Sequence, residues 1–296
     1  MTETTRHRRA ALLAGVTAAL ALTLGAPASS QPDSRDHEVA SAAELPLKFA
    51  VVGDTGTGGA DQAAVAKKMC SWREDHPYAL VLTTGDNIYP SGQRRDFKDN
   101  FFTPFSCLYD AGVKFHASLG NHDAVTKNGK PEIDEPRFGM SHHNYVKRLA
   151  GVRIVVADSN NLKKRWLRKH LGPEEGDRFT VVVFHYPVYS PGTEHGSTES
   201  FHPWVPRLFQ KRGVDLVLNG HDHIYSASKK LKGIRYVVTG GGGAPIYGCS
   251  DKWFSTGCVE RHHFLMIRVT AKRLYVTAIP KNGKPFARFS TTGLAP

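Results

Sequence analysis

Five apolar runs of this sequence each end at a short polar cluster, and this repeated arrangement constrains the fold more than any other feature. The runs lie at 47–52, 78–82, 113–119, 179–184 and 214–218, and each has the length and composition of a buried strand. The carboxyl ends of parallel strands form the crevice in which open α/β sheets bind ligands. The five clusters are therefore expected to meet at one edge of the molecule.

The clusters supply carboxylate, amide, imidazole and phenol groups. Their seven candidate metal ligands are Asp54, Asp86, Tyr89, Asn121, His185, His221 and His223. Taken singly, each has an ordinary explanation, since Asp and Asn after a strand usually stabilise a turn. Taken together at strand ends, they suit a pair of metals such as iron, manganese or zinc. Two ions about 3.5 to 4 Å apart can hold both the entering and the leaving oxygen of phosphoryl transfer.

The rest of the pattern predicts an α/β fold, because strands alternate with helices in the first half and hairpin-like strands fill the second. The further predicted elements are helices at 60–72, 162–171 and 204–211 and strands at 152–157, 235–239, 263–270 and 274–279. We expect a four-layer α/β/β/α sandwich of two packed mixed sheets, formed as a single domain by residues 47–296. Residues 124–145 are predicted to be a surface loop over the site.

The N-terminal segment has the pattern of an export signal. Three arginines precede an apolar stretch at 10–24, and a small-residue Ala-Pro-Ala sequence follows. Residues 1–28 are therefore predicted to be a secretory signal peptide, and the arginine pair at 8–9 also permits twin-arginine export. The polar residues 29–46 are expected to be a disordered lead-in. No later segment reaches the length of a membrane span, so we expect a secreted, periplasmic or cell-envelope protein.

Export bears on the four cysteines, because an even number outside the cytoplasm usually forms disulfides. Three pairings are possible, and we favour Cys249 with Cys258 and Cys70 with Cys107 because the first pair closes a short Gly- and Ser-containing loop. Zinc is the competing interpretation, and the absence of a C-x-x-C pair in the sequence argues against it. The net charge of +12 is spread along the chain, which favours anionic substrates and specifies no nucleic acid.

The motifs GDTG, GDNIY, GNHD, HYPVYS and GHDH together resemble those of the calcineurin-like metallophosphoesterases. The resemblance is closer to the purple acid phosphatases, which add the tyrosine of the second motif, and it extends from Phe49 to Tyr225. It implies that Fe(III) coloured by tyrosinate is held by Asp54, Asp86, Tyr89 and His223. It implies that a divalent iron, zinc or manganese ion is held by Asp86, Asn121, His185 and His221. Asp86 would then bridge the two ions.

The resemblance also implies two histidines that act on the substrate. His122 is similar to the histidine that contacts the phosphate or protonates the leaving group, and His195 is similar to the second substrate histidine of the small members. The spacing before His195 is one residue longer than in those members. The histidines at 142–143 and 262–263 follow no strand that feeds the crevice, so we interpret them as loop and strand residues. The glycines at 240–243 could cradle a phosphate with their backbone amides, and we favour their interpretation as a tight connection near the site.

The expected function is that of a secreted acid phosphatase that hydrolyses phosphomonoesters by attack of a metal-bound hydroxide. An imidazolium would protonate the leaving group, which predicts an acidic pH optimum. A phosphodiesterase or nucleotide hydrolase with two manganese or zinc ions, in which Tyr89 is not a ligand, is one alternative. A non-catalytic exported protein that binds phosphate or polyanions is another. The sequence specifies a phosphate ester as partner and leaves the oligomeric state open.

Overall fold

The computed structural model describes residues 46–293. The predicted signal peptide lies outside the described residues, as does the predicted lead-in except for Pro46. Within residues 46–293, no helix is long and apolar enough to cross a membrane.

Short strands and short helices make up the described part of the chain. The strands are β1 (Leu47–Val52), β2 (Leu80–Thr83), β3 (Lys114–Ala117), β4 (Tyr145–Leu149), β5 (Val152–Val156), β6 (Phe179–Val183), β7 (Leu216–Asn219), β8 (Tyr225–Ser228), β9 (Arg235–Thr239), β10 (Ser255–Val259), β11 (His263–Val269), β12 (Leu274–Pro280) and β13 (Ala287–Thr291). The α-helices are α1 (Ala60–Asp75), α2 (Ser106–Asp110), α3 (Asn121–Ala124), α4 (Lys130–Ile133), α5 (Lys164–His170) and α6 (Val205–Lys211). A π-helix spans Lys98–Phe102, and 3₁₀ turns span Arg94–Asp96, Lys127–Gly129, Pro136–Phe138, Ser159–Asn161 and Glu199–Phe201.

The strands form two mixed sheets, with the orders β13-β12-β11-β1-β2-β3 and β10-β8-β9-β7-β6-β5-β4. Strands β1, β2 and β3 run parallel to one another, as do β5, β6, β7 and β9. The segments that follow β1, β2, β3, β6 and β7 carry the candidate ligands. This arrangement brings polar turns from both sheets to one edge, as the sequence predicts.

Two apolar cores separate the layers of the fold. In β6, Val181 and Val183 join the apolar core shared with the first sheet, whereas Val182 faces a second core with Leu167 of α5 and Phe209 of α6. This alternation is the period of two of a strand that is buried on both faces. Helix α1 contacts β11 of the first sheet and buries Met69 in the shared core. The α/β/β/α sandwich predicted from the sequence is confirmed.

Two details differ from or extend the sequence expectations. The interpretation of residues 124–145 as a surface loop is wrong in part, because the segment contains α4 and two 3₁₀ turns and buries Glu132 and Phe138. Its prolines, which suggest a loop, stand in the first turn of these short helices, where proline is tolerated. Both favoured disulfides are present, Cys70–Cys107 between α1 and α2 and Cys249–Cys258 ahead of and within β10.

Candidate metal centre

Three of the candidate ligands lie in turns with left-handed backbone conformation. The φ angle is 58° at Asp54, 50° at Asp86 and 72° at His221. A residue with a side chain is strained in this region, and such strain concentrates at functional sites. The turns support one another, because the amide of Asp54 donates to the carbonyl of Gly85 at 3.0 Å. The amide of His221 also donates to the carboxylate of Asp54, at 3.1 Å from each oxygen.

The first predicted ligand set lies around the Tyr89 hydroxyl. This oxygen is 3.1 Å from Asp86 Oδ2 and 3.1 Å from His223 Nε2. His223 Nε2 is in turn 3.5 Å from Asp54 Oδ1. On the far side of its ring, His223 Nδ1 lies 2.7 Å from the carbonyl of Pro245, which assigns a proton to Nδ1 and leaves the Nε2 lone pair facing the site.

The second predicted ligand set lies around His185 Nε2. This nitrogen is 3.3 Å from Asp86 Oδ2, 3.0 Å from Asn121 Oδ1 and 3.2 Å from His221 Nδ1. His185 Nδ1 bonds to the carbonyl of Thr84 at 2.9 Å, so a neutral His185 also directs a lone pair inward. Lone pairs from both sets thus converge on Asp86 Oδ2. Buried acceptors that face one another need a cation between them, and this donor set fits two metal ions.

Electrostatics in the site favour positive charge at its centre. Burial lowers the pKa of His185, but the charges of Asp86 and Asp54 outweigh it and raise the pKa to about 10. Burial, followed by the charge on His185, lowers the pKa of His221 to about 2. Ligand atoms of Asp54, Asp86 and His185 lie within 4.8 Å of one another. The carboxylates that raise the pKa of His185 would also stabilise a metal cation bound among these atoms.

Tyr89 depends on such a cation in order to ionise. Burial and then the charges of Asp54 and Asp86 raise its pKa far above the ordinary value of 10. The phenol therefore keeps its proton when only these carboxylates surround it. A tyrosinate at this position requires a bound cation strong enough to displace the phenolic proton.

The two predicted substrate histidines lie on different sides of the ligand cluster. His122 Nδ1 is 2.7 Å from the carbonyl of Pro90, and its Nε2 is 4.0 Å from Asp86 Oδ2. Its ring lies 4.4 Å from that of Tyr89, and its side chain is 38% exposed. The His195 ring stacks on His221 with 4.1 Å between centroids. Both imidazoles border the ligand cluster, so each could contact a phosphate bound to the predicted metals.

Sequence reasoning missed two residues that support these groups. Asp222 is buried and accepts hydrogen bonds from the amides of His195 and Gly196 at 3.1 and 3.0 Å. Its position inside GHDH was a signal, but the sequence does not show the partner segment. Tyr247 stacks on His223 at 4.0 Å between centroids and belongs to no motif. Both residues hold the rings that border the cluster.

A buried polar network behind the Asp86 turn was also missed. The side-chain amide of Asn87 donates to Asp123 Oδ2 and to Glu132 Oε2, each at 3.0 Å. Asp123 Oδ1 also accepts the amide of Ile88 at 3.0 Å. Burial and then the charge of Asp123 raise the pKa of Glu132 well above its ordinary value. These buried hydrogen bonds therefore stabilise the turn that carries Asp86.

Known proteins resemble this chain in sequence and in fold. The family model described as calcineurin-like phosphoesterase matches residues 47–225. Purple acid phosphatase 17 of Arabidopsis thaliana is 26% identical over 233 residues, which cover 66% of this chain and 68% of that protein. Two solved structures share the fold. Purple acid phosphatase PPD1 from yellow lupin (Lupinus luteus) seeds has a TM-score of 0.69 at 18% identity and covers 83% of this chain and 53% of its own. GAP50, described as the anchor in the inner membrane complex of Plasmodium, has a TM-score of 0.72 at 16% identity. The match covers 85% of this chain and 90% of GAP50.

Proposed function

The chain belongs to the calcineurin-like phosphoesterase family, and from that membership we propose that it is an acid phosphatase that hydrolyses phosphomonoesters at two metal ions. The resemblance to purple acid phosphatases that the motifs indicate is confirmed by its curated relatives, and the chain is a metallophosphoesterase hydrolase. The two-metal site, the iron and the monoester substrate are the proposal. The fold alone does not support this proposal, because GAP50, which is described as an anchor in Plasmodium, has the same fold.

The observation that carries the proposal is the division of the seven side chains into two sets that share Asp86. Tyr89 and His223 approach one another on one side, and His185 and Asn121 do so on the other. Asp86 Oδ2 is within 3.3 Å of both sides. A retired site has no physical need for such an arrangement, since each buried acceptor without a cation costs stability.

The proposed assignment gives each side chain a role. Asp54, Asp86, Tyr89 and His223 would hold Fe(III), and Asp86, Asn121, His185 and His221 would hold divalent iron, zinc or manganese. When bound, such a pair supplies an acidified water as nucleophile and neutralises phosphate charge.

His122 and His195 would act on the substrate from outside the ligand cluster. His122 Nδ1 donates its proton to the carbonyl of Pro90, so only the imidazolium form would carry a second proton at Nε2, from which it could be donated to a phosphoryl oxygen or to the leaving group. His195 would support the substrate from the side of His221, on which its ring stacks.

The test combines a spectrum with an activity. Protein reconstituted with iron and zinc is expected to contain two metals per chain, to absorb visible light and to hydrolyse an aryl phosphate at acidic pH. Tyr89→Phe should lose the visible band, and Asp86→Asn should lose metal and activity together. A colourless wild-type protein with full activity would refute the iron–tyrosinate assignment and favour manganese or zinc, and a panel of mono- and diesters would then decide between a phosphatase and a phosphodiesterase. A metal-loaded protein without activity on mono- or diesters would refute the enzymatic proposal.

We also propose that the protein is exported, which the two disulfides support because such bonds persist in oxidising compartments. Expression of the full chain in a bacterial host, followed by N-terminal sequencing of the extracytoplasmic protein, is expected to find cleavage near Ala28. Uncleaved protein confined to the cytoplasm would contradict this.

A further inference from the structure

A cleft of about 420 Å³ is lined by residues that follow Tyr89 and His122 in the chain, and we name it the basic cleft. Its walls come from residues 93–95 on one side and from 126–134 on the other. The hydroxyl of Thr126 donates to the carbonyl of Ser91, which holds the walls together. Gly92 permits their close approach, because a side chain there would overlap the backbone of Asp123 at 2.5 to 3.0 Å.

The charge in the basic cleft is positive. Arg94, Arg95, Lys127 and Lys130 line it together with one carboxylate, Asp134, a net of +3 that the adjacent Asp96 and Glu135 reduce to +1. Lys130 pairs with Asp134 at 2.8 Å, and Arg94 is directed towards Glu135 at 3.6 Å.

Two of these cations are available to a ligand. Arg95 has only its neighbour Asp96, at 3.7 Å, and Lys127 has no ion-pair partner within residues 46–293. Both side chains are exposed. Cations gathered in a concave site attract a phosphate, and Arg and Lys bind it by charge-assisted hydrogen bonds.

The basic cleft is close to the candidate metal centre along the chain. Gln93 follows Tyr89 by four residues, and Thr126 follows His122 by four residues. Four residues span at most about 14 Å, so the nearer wall residues of the basic cleft lie within that distance of Tyr89 and His122. The cleft is also tied to the centre directly, because α4 in its wall carries Glu132, which accepts the hydrogen bond from Asn87 beside Asp86.

We propose that the basic cleft binds the second phosphate of a small bisphosphorylated substrate whose first phosphate lies at the metal centre. This inference rests on the proposed function and narrows its substrate class. Arg95 and Lys127 are the residues that would select such substrates over monophosphates. A second phosphate of the substrate, rather than free inorganic phosphate, is the predicted ligand because wall residues of the cleft lie within about 14 Å of Tyr89 and His122.

The test compares fructose 1,6-bisphosphate with fructose 6-phosphate, which differ by one phosphate. Wild-type enzyme loaded with iron and zinc is expected to show a higher kcat/KM for the bisphosphate. In Arg95→Ala/Lys127→Ala the ratio of the two kcat/KM values should fall about 5- to 20-fold, mainly through KM. The charge-preserving Arg95→Lys/Lys127→Arg leaves both cations in the cleft, so the ratio should stay within about 2-fold of wild type.

The matched control is Arg165→Ala/Lys169→Ala, which removes the same charges from the exposed face of α5, away from the cleft. It should leave the ratio at the wild-type value. Equal ratios in cleft and control variants, or no preference in the wild type, would overturn the proposal. A large effect of added inorganic phosphate on fructose 6-phosphate turnover that disappears in the cleft variant would instead assign the cleft to free phosphate. If the wild type has no turnover, the proposed function fails, and calorimetric affinities for the same two compounds decide the cleft separately.

Discussion

The fully buried His263 is expected to make the stability of this protein depend on pH in the acidic range. Its Nδ1 lies 2.8 Å from the carbonyl of Arg261 and its Nε2 lies 3.0 Å from the hydroxyl of Thr239. A neutral ring satisfies both contacts, with Nδ1 donating and Nε2 accepting. Burial lowers the pKa of His263 to about 4, although the hydrogen bond to Arg261 opposes this.

The sign and size of the effect follow from linkage. The folded protein takes up this proton only near pH 4, whereas the unfolded chain does so near 6.5, the ordinary value. The unfolded state therefore binds more protons between these pH values, and the free energy of unfolding falls as the pH is lowered. A difference of 6.5 minus 4 corresponds to about 3 kcal/mol, fully present above pH 6.5 and lost by pH 4.

The assay is urea unfolding of wild type and His263→Gln at pH 7, 5.5 and 4. Glutamine offers one donor and one acceptor but takes up no proton, so the variant should lose about 3 kcal/mol less than wild type over this range. Metal release contributes equally to the unfolding free energies of the two proteins, so its contribution cancels when they are compared. The exposed His142 provides the control, because His142→Gln should follow wild type. Parallel pH profiles for wild type and His263→Gln would refute the reasoning.

Two further predictions concern the support of the site and of the fold. Asp222→Asn removes the charge that holds the amides of His195 and Gly196, so kcat for an aryl phosphate should fall about 10-fold while bound metal stays constant, as measured by kinetics and metal analysis. Unchanged kcat would contradict this role. Loss of the Cys70–Cys107 disulfide should cost more stability than loss of Cys249–Cys258, about 3.8 against about 2.6 kcal/mol, because the separations are 37 and 9 residues. Urea unfolding of the two Cys→Ser pairs measures the difference, and the reverse order would refute the loop-entropy argument.

The parts of the site that sequence predicts well are those set by local patterns. A short apolar run such as β1 or β6 indicates a buried strand, and a polar turn directly after it has its position fixed by the strand. Parallel pairing then brings the turns to one edge, which is why Asp54, Asp86 and His185 come within 4.8 Å although they are far apart in sequence. Their role as metal ligands stays a prediction.

The parts that sequence could not supply depend on contacts without a local pattern. Glu132 lies in a segment rich in Pro and Gly, and only the fold brings it to Asn87, 45 residues away. Tyr247 follows a glycine run and looks like a loop residue, yet it stacks on His223. The strands β10 and β13 were missed because their residues are mostly exposed or half-buried and give no clear alternation.

The turn from Asp86 to Tyr89 connects the candidate centre to the basic cleft. Asp86 adopts its strained conformation against Gly120, where any side chain would overlap the Asp86 carboxylate and amide. Asn87 ties the same turn to Asp123 and to Glu132, and Glu132 belongs to the helix that forms a wall of the cleft. Buried hydrogen bonds therefore join the Asp86 turn to the helix in the wall of the basic cleft. The spacing between Asp86 and α4 is set by the protein rather than by the substrate, which is the condition for selecting bisphosphates by their length.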